Sequence, residues 1–270
     1  MGNLIPSEAI RGSGHAMTAN NSNLRSRLEK AARRRGAVVF GIASAAQVDS
    51  MERVRIVDSA ISAWSKRPSD VMPGARSIIV VGISAVDDAD ELAIRRSDGS
   101  WTYPGYNQLP LIARDMIDIL KEEGYSGVIQ PETVPRKRIA VAAGIGAYGK
   151  NSMILSEKYG LSLRLEIIVT DAPLVPDKPF KKDLCGDCVR CVKSCPAKAI
   201  VKPYVLDPLR CFVYLDEMGT KDEALRNVHE KFVRRLTPNT YVMCTICQMA
   251  CPYTSAQRRK SVIRRSRTAR

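Results

Sequence analysis

Histidine, aromatic side chains and long apolar segments are all scarce in this sequence. Its only histidines are His15 and His229, and a lone histidine is more typical of a protein surface than of a metal centre. Aromatic residues make up 6% of the chain, so no platform for stacking single-stranded nucleic acid is evident. The longest apolar run, around residues 77–83, is far too short to cross a bilayer. We therefore predict no membrane span.

A signal for export or lipid attachment is also missing. Three arginines at 33–35 precede an apolar stretch, as in a signal peptide, but they lie too far into the chain and follow a helical pattern. An N-terminal acylation motif would need Ser or Thr at the sixth position, where Pro6 stands. The expected compartment is the cytoplasm.

Acidic residues are too few to balance the basic ones. The formal net charge is +14, and residues 257–270 carry seven basic side chains and no acidic one. Half of the excess therefore lies in a terminal tail, which such a composition predicts to be solvated. Because basic blocks also bind nucleic acid in some proteins, tRNA or another polyanion is a candidate partner of this tail.

Cysteine, in contrast, is concentrated in one stretch. All eight cysteines lie between residues 185 and 251, in the order C-x2-C-x2-C-x3-C-P, one isolated cysteine, and C-x2-C-x3-C-P. Three thiolates at C-x2-C-x2-C can reach three irons of one [4Fe–4S] cube from a single loop, and the fourth ligand comes from elsewhere. The array predicts two [4Fe–4S] clusters.

The order of the cysteines also predicts how they divide between the clusters. In two-cluster ferredoxins, the cysteine of C-x3-C-P serves the other cluster. The second motif lacks its first cysteine, because Tyr241 stands at that position, and Cys211 is the obvious substitute. The first predicted cluster has the ligands Cys185, Cys188, Cys191 and Cys251, and the second has Cys195, Cys211, Cys244 and Cys247.

Two other uses of these cysteines are weaker. Paired zinc sites also use C-x2-C units, but zinc rarely needs the closely spaced third cysteine. A disulfide framework belongs to oxidising compartments, and the sequence shows no sign of export.

The rest of the chain carries helical and strand patterns. Helices are predicted from Asn23 to Gly36, over residues 51–64, and over residues 109–120 ahead of Gly124. Strands are predicted at residues 37–42, 77–83 and 161–167. In the last of these, strict alternation predicts that the apolar residues face a core while Ser162, Arg164 and Glu166 face out.

Composition divides the chain into four parts. Residues 1–22 are polar and lack periodicity, which predicts a flexible lead-in. Three prolines between residues 173 and 179 predict a linker, with a boundary near residue 178. The predicted parts are a flexible segment at 1–22, a first domain at 23–178, a ferredoxin-like cluster module at 179–255, and the basic tail at 256–270.

A glycine-rich loop precedes the last predicted strand. Gly144, Gly146 and Gly149 match G-x-G-x-x-G, and the loop with Lys150 also matches the start of a P-loop. Both matches are weak, because Asn151 provides no hydroxyl for Mg²⁺ and the loop does not open a βαβ unit. Two interpretations remain open. Either the glycines let main-chain N–H groups approach a large cofactor, or the loop is a tight turn without a ligand.

Residues 72–81, 143–152 and 170–174, taken together with the cysteine array, resemble the epoxyqueuosine reductase family and its relatives, the corrinoid reductive dehalogenases. The resemblance extends from residue 23 to Pro252. It implies an α+β fold, in which a nitroreductase-like cobalamin-binding domain is followed by a ferredoxin-like module with two [4Fe–4S] clusters. In this family, Cys211 would be a cluster ligand.

The same resemblance implies a role for the glycine loop and a departure near it. The loop glycines would line the corrin site, and Lys150, Asn151 and Ser152 would contact the corrinoid. Family members have a proton-donating Asp ahead of the loop, which in this chain is replaced by Gln130 or is absent. A proton donor must lie within hydrogen-bond reach of the reacting atom. The candidates, in descending order, are Tyr148, Glu132, Tyr103 and Tyr214.

The predicted function is that of an iron–sulfur oxidoreductase, a corrinoid-dependent reductase that passes electrons through two clusters to a cobalamin and reduces a small or tRNA-borne substrate. The predicted partner is a redox donor of the ferredoxin or flavodoxin type, to which a basic face is suited. One alternative is a non-catalytic ferredoxin-type electron-transfer protein. Another is a nucleic-acid-modifying protein that holds RNA through the tail and through Lys178, Lys181 and Lys182.

Overall fold

The computed structural model describes residues 13–57, 62–85, 87–129 and 133–254, with side chains from Ser22 onward. The α-helices are α1 (Ser13–Arg34), α2 (Ala45–Asp49), α3 (Pro68–Val71), α4 (Gln108–Glu122), α5 (Arg136–Ala142), α6 (Arg190–Ser194), α7 (Phe212–Met218), α8 (Glu223–Phe232) and α9 (Ile246–Met249). The strands are β1 (Val39–Ser44), β2 (Arg55–Val57), β3 (Ser62–Trp64), β4 (Ser77–Ser84), β5 (Leu92–Arg95), β6 (Trp101–Thr102), β7 (Gly127–Ile129), β8 (Ala147–Tyr148), β9 (Ile154–Leu155), β10 (Leu163–Thr170), β11 (Ile200–Lys202), β12 (Val205–Leu206), β13 (Arg234–Thr237) and β14 (Thr240–Val242). Short 3-10 helices lie at Asp88–Glu91, Pro104–Tyr106 and Pro208–Arg210. The protein therefore mixes helices and sheets, as predicted.

A four-stranded antiparallel sheet forms the centre of the first half of the chain. Its strands lie in the order β1, β4, β10 and β7. β4 is apolar and β-branched, and all of it except the last residue is buried. Because side chains alternate along a strand, Ile79 and Val81 pack on the side of α1 and α4, whereas Ile78 and Val80 pack on the side of α5. The strand predicted over residues 77–83 is confirmed.

The two helices on one face of this sheet are amphipathic. α1 buries Leu24 and Leu28, and α4 buries Ile112 and Met116, at spacings that place the side chains on one helical face. Both predicted helices are confirmed in the structure. α1 nevertheless begins at Ser13, ahead of the predicted cap at Asn23, so the later part of the predicted flexible lead-in is helical. Residues 1–12 lie outside the described residues.

β10 corrects the predicted orientation of two polar residues. Leu163 is buried, as the alternation predicted. The prediction that Ser162 and Arg164 face out is wrong, because both are buried. The sheet is covered on this face too, and Glu91 and Tyr106 provide the partners that a buried guanidinium requires.

The helix predicted over residues 51–64 is wrong. The described part of this segment forms an antiparallel hairpin of β2 and β3, in which Ile56 pairs with Ala63. The sequence from Val54 to Val57 contains three β-branched residues, and these lose side-chain freedom in a helix but not in a strand.

A second antiparallel sheet joins the two halves of the chain. Its strands lie in the order β13, β14, β5 and β6, so that β14 of the cysteine-containing half pairs with β5 of the first half. The N–H of Met243 also donates to the carbonyl oxygen of Glu91 at 2.9 Å. The domain boundaries remain predictions, and the basic tail lies outside the described residues. Among the helices of the described ranges, none is long and apolar enough to cross a membrane.

Candidate iron–sulfur site

Four cysteines from two distant segments line one cavity. Cys185, Cys188 and Cys191 lie on the loop that leads into α6 and on its first turn, and Cys251 follows α9. α6 packs against α9, and the four cysteines line a cavity of about 60 Å³. The structure thus brings together the first predicted quartet. Within the described ranges, no three His, Cys, Asp or Glu side chains are placed to hold a single metal ion.

The second predicted quartet also comes together, around a small apolar core. Cys195 follows α6, Cys211 precedes α7, and Cys244 lies between β14 and α9. These three cysteines pack in one apolar cluster with Phe212. Cys247, on α9, is close enough to interact electrostatically with the other three. Which cysteines ligate which cluster remains a prediction, and the observed grouping supports it.

Burial makes these thiols poor thiolates by themselves. Desolvation raises the pKa of Cys244 to about 11 and that of Cys247 to about 12. It also raises the pKa of Cys185, Cys191 and Cys211. At neutral pH such thiols keep their protons until a metal cation displaces them and compensates the sulfur charge. The surroundings of both quartets therefore fit ligands of an iron centre better than free nucleophiles.

The three glycines of the glycine-rich loop are packed against the protein's own oxygen atoms. A Cβ at Gly144 would lie 2.7 Å from the carbonyl oxygen of Lys178, in the predicted linker. A Cβ at Gly146 would lie 2.5 Å from the carbonyl oxygen of Leu155, and one at Gly149 would meet two oxygen atoms at 3.0 Å. Contact between these glycines and a cofactor remains a prediction, whereas the tight-turn interpretation accounts for all three.

We expect Gly144→Ala to destabilise the protein more than the matched substitution Gly124→Ala. Both glycines have a positive φ, 73° and 79°, so both substitutions carry a similar backbone penalty of about 1 kcal/mol. Only at Gly144 would the new methyl collide with main chain, because nothing lies within 4 Å at Gly124. The collision should add about 1–3 kcal/mol, measured by thermal unfolding. Equal midpoints would show that the main chain at Lys178 moves away without cost.

The residues that follow the glycines connect the first half of the chain to the cysteine-containing half. Lys150, Asn151 and Ser152 are all buried. The Lys150 amine donates to the carbonyl oxygen of Gly186, inside the first cysteine loop. The Ser152 hydroxyl donates to the carbonyl oxygen of Tyr204 at 3.3 Å. Their predicted contact with a corrinoid remains untested, and their observed contacts are with the surroundings of the two quartets.

Asn151 places an amide donor on a cysteine of the second quartet. Its Nδ2 lies 3.7 Å from the Sγ of Cys247. Its Oδ1 accepts a hydrogen bond from the N–H of Met153 at 3.3 Å, which orients the amide nitrogen toward the sulfur. Asn151 also lines the cavity of the first quartet, so one residue touches both.

We expect Asn151→Leu to lower the reduction potential of the second cluster. A hydrogen bond to a ligand sulfur stabilises the more negative, reduced state of a cluster. If this bond contributes about 0.5–1.5 kcal/mol, its loss lowers the one-electron reduction potential by about 20–60 mV. Redox titration followed by EPR measures the shift. Ser152→Ala is the control, because the Ser152 hydroxyl bonds a carbonyl oxygen and not a sulfur. An equal shift of the reduction potential in that variant would show that altered packing causes the effect.

Three of the four candidate proton donors lie within the described residues. Tyr148 is in β8 and packs against the core between the central sheet and α5. Tyr103 donates a hydrogen bond to Glu217, and Tyr214 packs beside the second quartet. Glu132 lies outside the described residues. Tyr103 and Tyr214 are thus both associated with α7, whereas Tyr148 packs in the core, and a catalytic role remains a prediction for each.

A cation that the sequence did not single out lies beside the second quartet. Burial lowers the pKa of Lys137, on the first turn of α5, while negative charge at Cys211 and Cys247 opposes that shift. The side chain is nevertheless exposed to solvent. Lys137 therefore lies at the surface of α5, within electrostatic reach of the second quartet. The basic run at residues 136–138, directly after Pro135, was the available signal.

Residues 184–254 match the family model described as the 4Fe-4S double cluster binding domain. The match contains all eight cysteines. It confirms the prediction of two [4Fe–4S] clusters in this part of the chain.

Curated relatives carry the name epoxyqueuosine reductase. The relative from Cyclobacterium marinum is 33% identical over 144 residues, which cover 52% of this chain and 44% of the relative. The relative from Synechocystis is 28% identical over 240 residues, which cover 79% of each protein. The chain spans about half the length of the first relatives that it matches. The resemblance to epoxyqueuosine reductases is confirmed.

Solved structures share the fold. An epoxyqueuosine reductase crystallised with an epoxyqueuosine-modified tRNA stem loop gives a TM-score of 0.67 at 24% identity, covering 88% of this chain and 67% of that chain. A catabolic reductive dehalogenase gives a TM-score of 0.57 at 18% identity, covering 86% of this chain and 32% of that chain. The fold is therefore the one found in epoxyqueuosine reductases and reductive dehalogenases.

Proposed function

We propose that this chain is an iron–sulfur oxidoreductase of the epoxyqueuosine reductase type, in which electrons pass through two [4Fe–4S] clusters to a cobalamin held by a nitroreductase-like domain. One observation carries the proposal. Cys188 of the first quartet is exposed to solvent, while the second quartet lies beside Lys137 of α5, on the other half of the chain. Clusters arranged in this way connect an external donor with an internal acceptor.

Exposure and burial support this order of the clusters. Cys188 of the first quartet is exposed, so an electron can enter there from another protein. In the second quartet, Cys244 and Cys247 have their pKa raised to about 11 and about 12, chiefly by desolvation. The second quartet is therefore the inner one, and Asn151, which touches both, lies between them.

The surface around Lys137 is the proposed place of the cobalamin. Lys137 is close enough to Cys211 and Cys247 to interact with them electrostatically, so an acceptor bound there would lie next to the inner cluster. A bound corrinoid supplies a cobalt centre that is nucleophilic when reduced. Lys137 would offer a cation to the amide or phosphate groups of the corrinoid. Support comes from a reductive dehalogenase of TM-score 0.52 whose dehalogenation is described as B12-dependent.

The described histidine is engaged elsewhere. The Nε2 of His229 lies 2.8 Å from an oxygen of Asp216, and its ring packs edge-on against Phe212. We therefore propose that the corrinoid would be held without His229 as a ligand.

A small or tRNA-borne substrate is part of the same proposal. An epoxyqueuosine reductase with this fold binds a modified tRNA stem loop. In this chain, Lys178 and Lys181 are exposed and could contact a phosphate backbone. The tail and Gln130 lie outside the described residues. We also propose a cytoplasmic location, because none of the eight described cysteines forms a disulfide, which suits a reducing compartment.

The test is anaerobic reconstitution with iron, sulfide and hydroxocobalamin, followed by desalting. We expect about eight irons per chain and a retained corrinoid spectrum. Lys137→Glu should weaken corrinoid retention without lowering the iron content, while Lys121→Glu, an exposed lysine on α4, should change neither. Iron without corrinoid in the unmodified protein would refute the reductase and leave an electron carrier. Stoichiometric zinc in protein from native cells would refute both.

A further inference from the structure

An exposed apolar hairpin lies beside the first quartet. It consists of β11 and β12, and α6, which carries Cys191, packs against β11. The exposed fractions of Val201, Tyr204 and Val205 are 56%, 40% and 39%. Neighbouring apolar side chains that stay exposed commonly mark a contact with another protein.

Hydrogen bonds attach the turn of this hairpin to the first cysteine loop. The N–H of Tyr204 donates to the carbonyl oxygen of Lys150 at 3.0 Å, and the Lys150 amine donates to the carbonyl oxygen of Gly186. Tyr204 has a φ of 68°, a conformation that an aromatic residue rarely adopts. Cys188, the exposed cysteine, lies on the same loop as Gly186. The apolar hairpin and the exposed edge of the quartet are therefore neighbours.

Basic side chains surround these apolar residues. Residues 181–202 contain six Lys or Arg side chains against two acidic ones, Asp183 and Asp187. Lys193 on α6 and Lys202 on β11 are both exposed. An apolar centre with a basic rim is complementary to an acidic protein surface with an apolar centre of its own.

We propose that this surface, called here the entry face and made of Cys188, Lys193, Val201, Lys202, Tyr204 and Val205, docks an acidic one-electron carrier protein. The proposal rests on the proposed function, because it takes the first cluster as the electron acceptor. In the docked complex the carrier loses one electron and the first cluster gains it, and no covalent bond changes. RNA would also be attracted by the charge, but exposed valines offer nothing to a phosphate backbone.

The test compares two electron donors on the protein reconstituted with iron and sulfide. A flavodoxin in its hydroquinone form is the protein donor, and photoreduced deazariboflavin is a small uncharged donor. Lys193→Glu/Lys202→Glu reverses the charge of the entry face. The matched control, Lys30→Glu/Lys121→Glu, reverses two exposed lysines on α1 and α4, across the sheet from α5. Stopped-flow absorbance of the clusters gives the second-order rate constants.

We expect the entry-face variant to lower the flavodoxin rate constant at least about tenfold at low salt, because steering of an acidic partner is lost. The control should keep the rate, and deazariboflavin should reduce all proteins equally. Val201→Ser/Val205→Ser should slow the flavodoxin reaction at high salt as well. An unchanged flavodoxin rate in the entry-face variant, or an equal loss in the control, would overturn the proposal. Loss of tRNA binding with an unchanged flavodoxin rate would assign the face to RNA instead.

These measurements need the clusters but no corrinoid. A protein that assembles its clusters and retains no corrinoid would refute the proposed function, and the docking test would still give its own answer. The iron content of each variant shows whether the module has folded, so a slow flavodoxin reaction with full iron content reports on docking alone.

Discussion

Cys211→Ser should leave about four irons per chain in place of about eight. Cys211 stands apart from both cysteine motifs, yet the structure places it with Cys195 and Cys244 in the apolar cluster of the second quartet. Burial raises the pKa of its thiol, so the side chain sits where a charged group needs a metal partner. The first quartet shares none of these residues and should still assemble.

Iron and sulfide analysis, with EPR of the reduced protein, measures this outcome. Cys188→Ser is the mirror control, because it should remove the first cluster and spare the second. Eight irons retained by Cys211→Ser would mean that another residue ligates the second cluster.

Tyr241→Cys should not rescue Cys211→Ser, although a plain ferredoxin repeat would have its cysteine at that position. Tyr241 lies in β14, where it pairs with Ala93. Its ring packs 5.5 Å from that of Trp101 and beneath the guanidinium of Arg235 at 4.8 Å. A thiol at this position would therefore lie in the second sheet and not in the second quartet. Restored iron in the double variant would show that β14 can move to the cluster.

Arg164→Met should lower the thermal midpoint of the reconstituted protein by roughly 10 °C. The guanidinium pairs with Glu91, whose side chain is 2% exposed, and its Nε lies 2.7 Å from the hydroxyl of Tyr106. Removing one member of a buried pair leaves an uncompensated charge and costs about 3–5 kcal/mol. In a chain of this size, such a loss of stability lowers the thermal midpoint by roughly 10 °C. Arg164 also donates to Gln248 at 3.3 Å, between two cluster cysteines, so cluster retention should fall as well.

The double variant Arg164→Met/Glu91→Leu separates charge from packing. With both charges removed, much of the lost stability should return, because the large cost is the unpaired charge and not the absence of the pair. A double variant that is as unstable as the sum of both single variants would show that the hydrogen bonds to Tyr106 and the main chain carry the stabilisation.

The clusters were the most predictable part of this protein. Ligand spacing is a local property, so the motifs identified seven of the eight cysteines, and the count of ligands pointed to Cys211. The sheet core was also predictable, because the apolar run of β4 and the helical spacing of Leu24 and Leu28 are local patterns.

Other predictions failed where tertiary contacts overrode a local pattern. Alternation in β10 predicted a solvent-facing Arg164, but nothing in the local sequence shows that Glu91, far along the chain, covers that face. A helix was also predicted over residues 51–64, where the structure has a hairpin, because periodicity in a short apolar segment does not distinguish the two.

The glycine loop was also predictable only in part. Three glycines indicated close approach of main chain, which is correct, but only the fold shows that Lys178 and Leu155 are among the approaching groups. The contacts of Asn151 and Lys137 with the second quartet could not be predicted, because the sulfur atoms involved lie far away along the chain.

The sequence alone determined that this protein has a cysteine array suited to two [4Fe–4S] clusters, a buried sheet core and no predicted membrane span, because spacing and apolar periodicity are local. Only the tertiary structure decided which cysteine faces solvent, what packs against the glycines, and that the two halves of the chain share a sheet. These features depend on segments that meet only after the chain has folded, because contacts between residues far apart in sequence stabilise them.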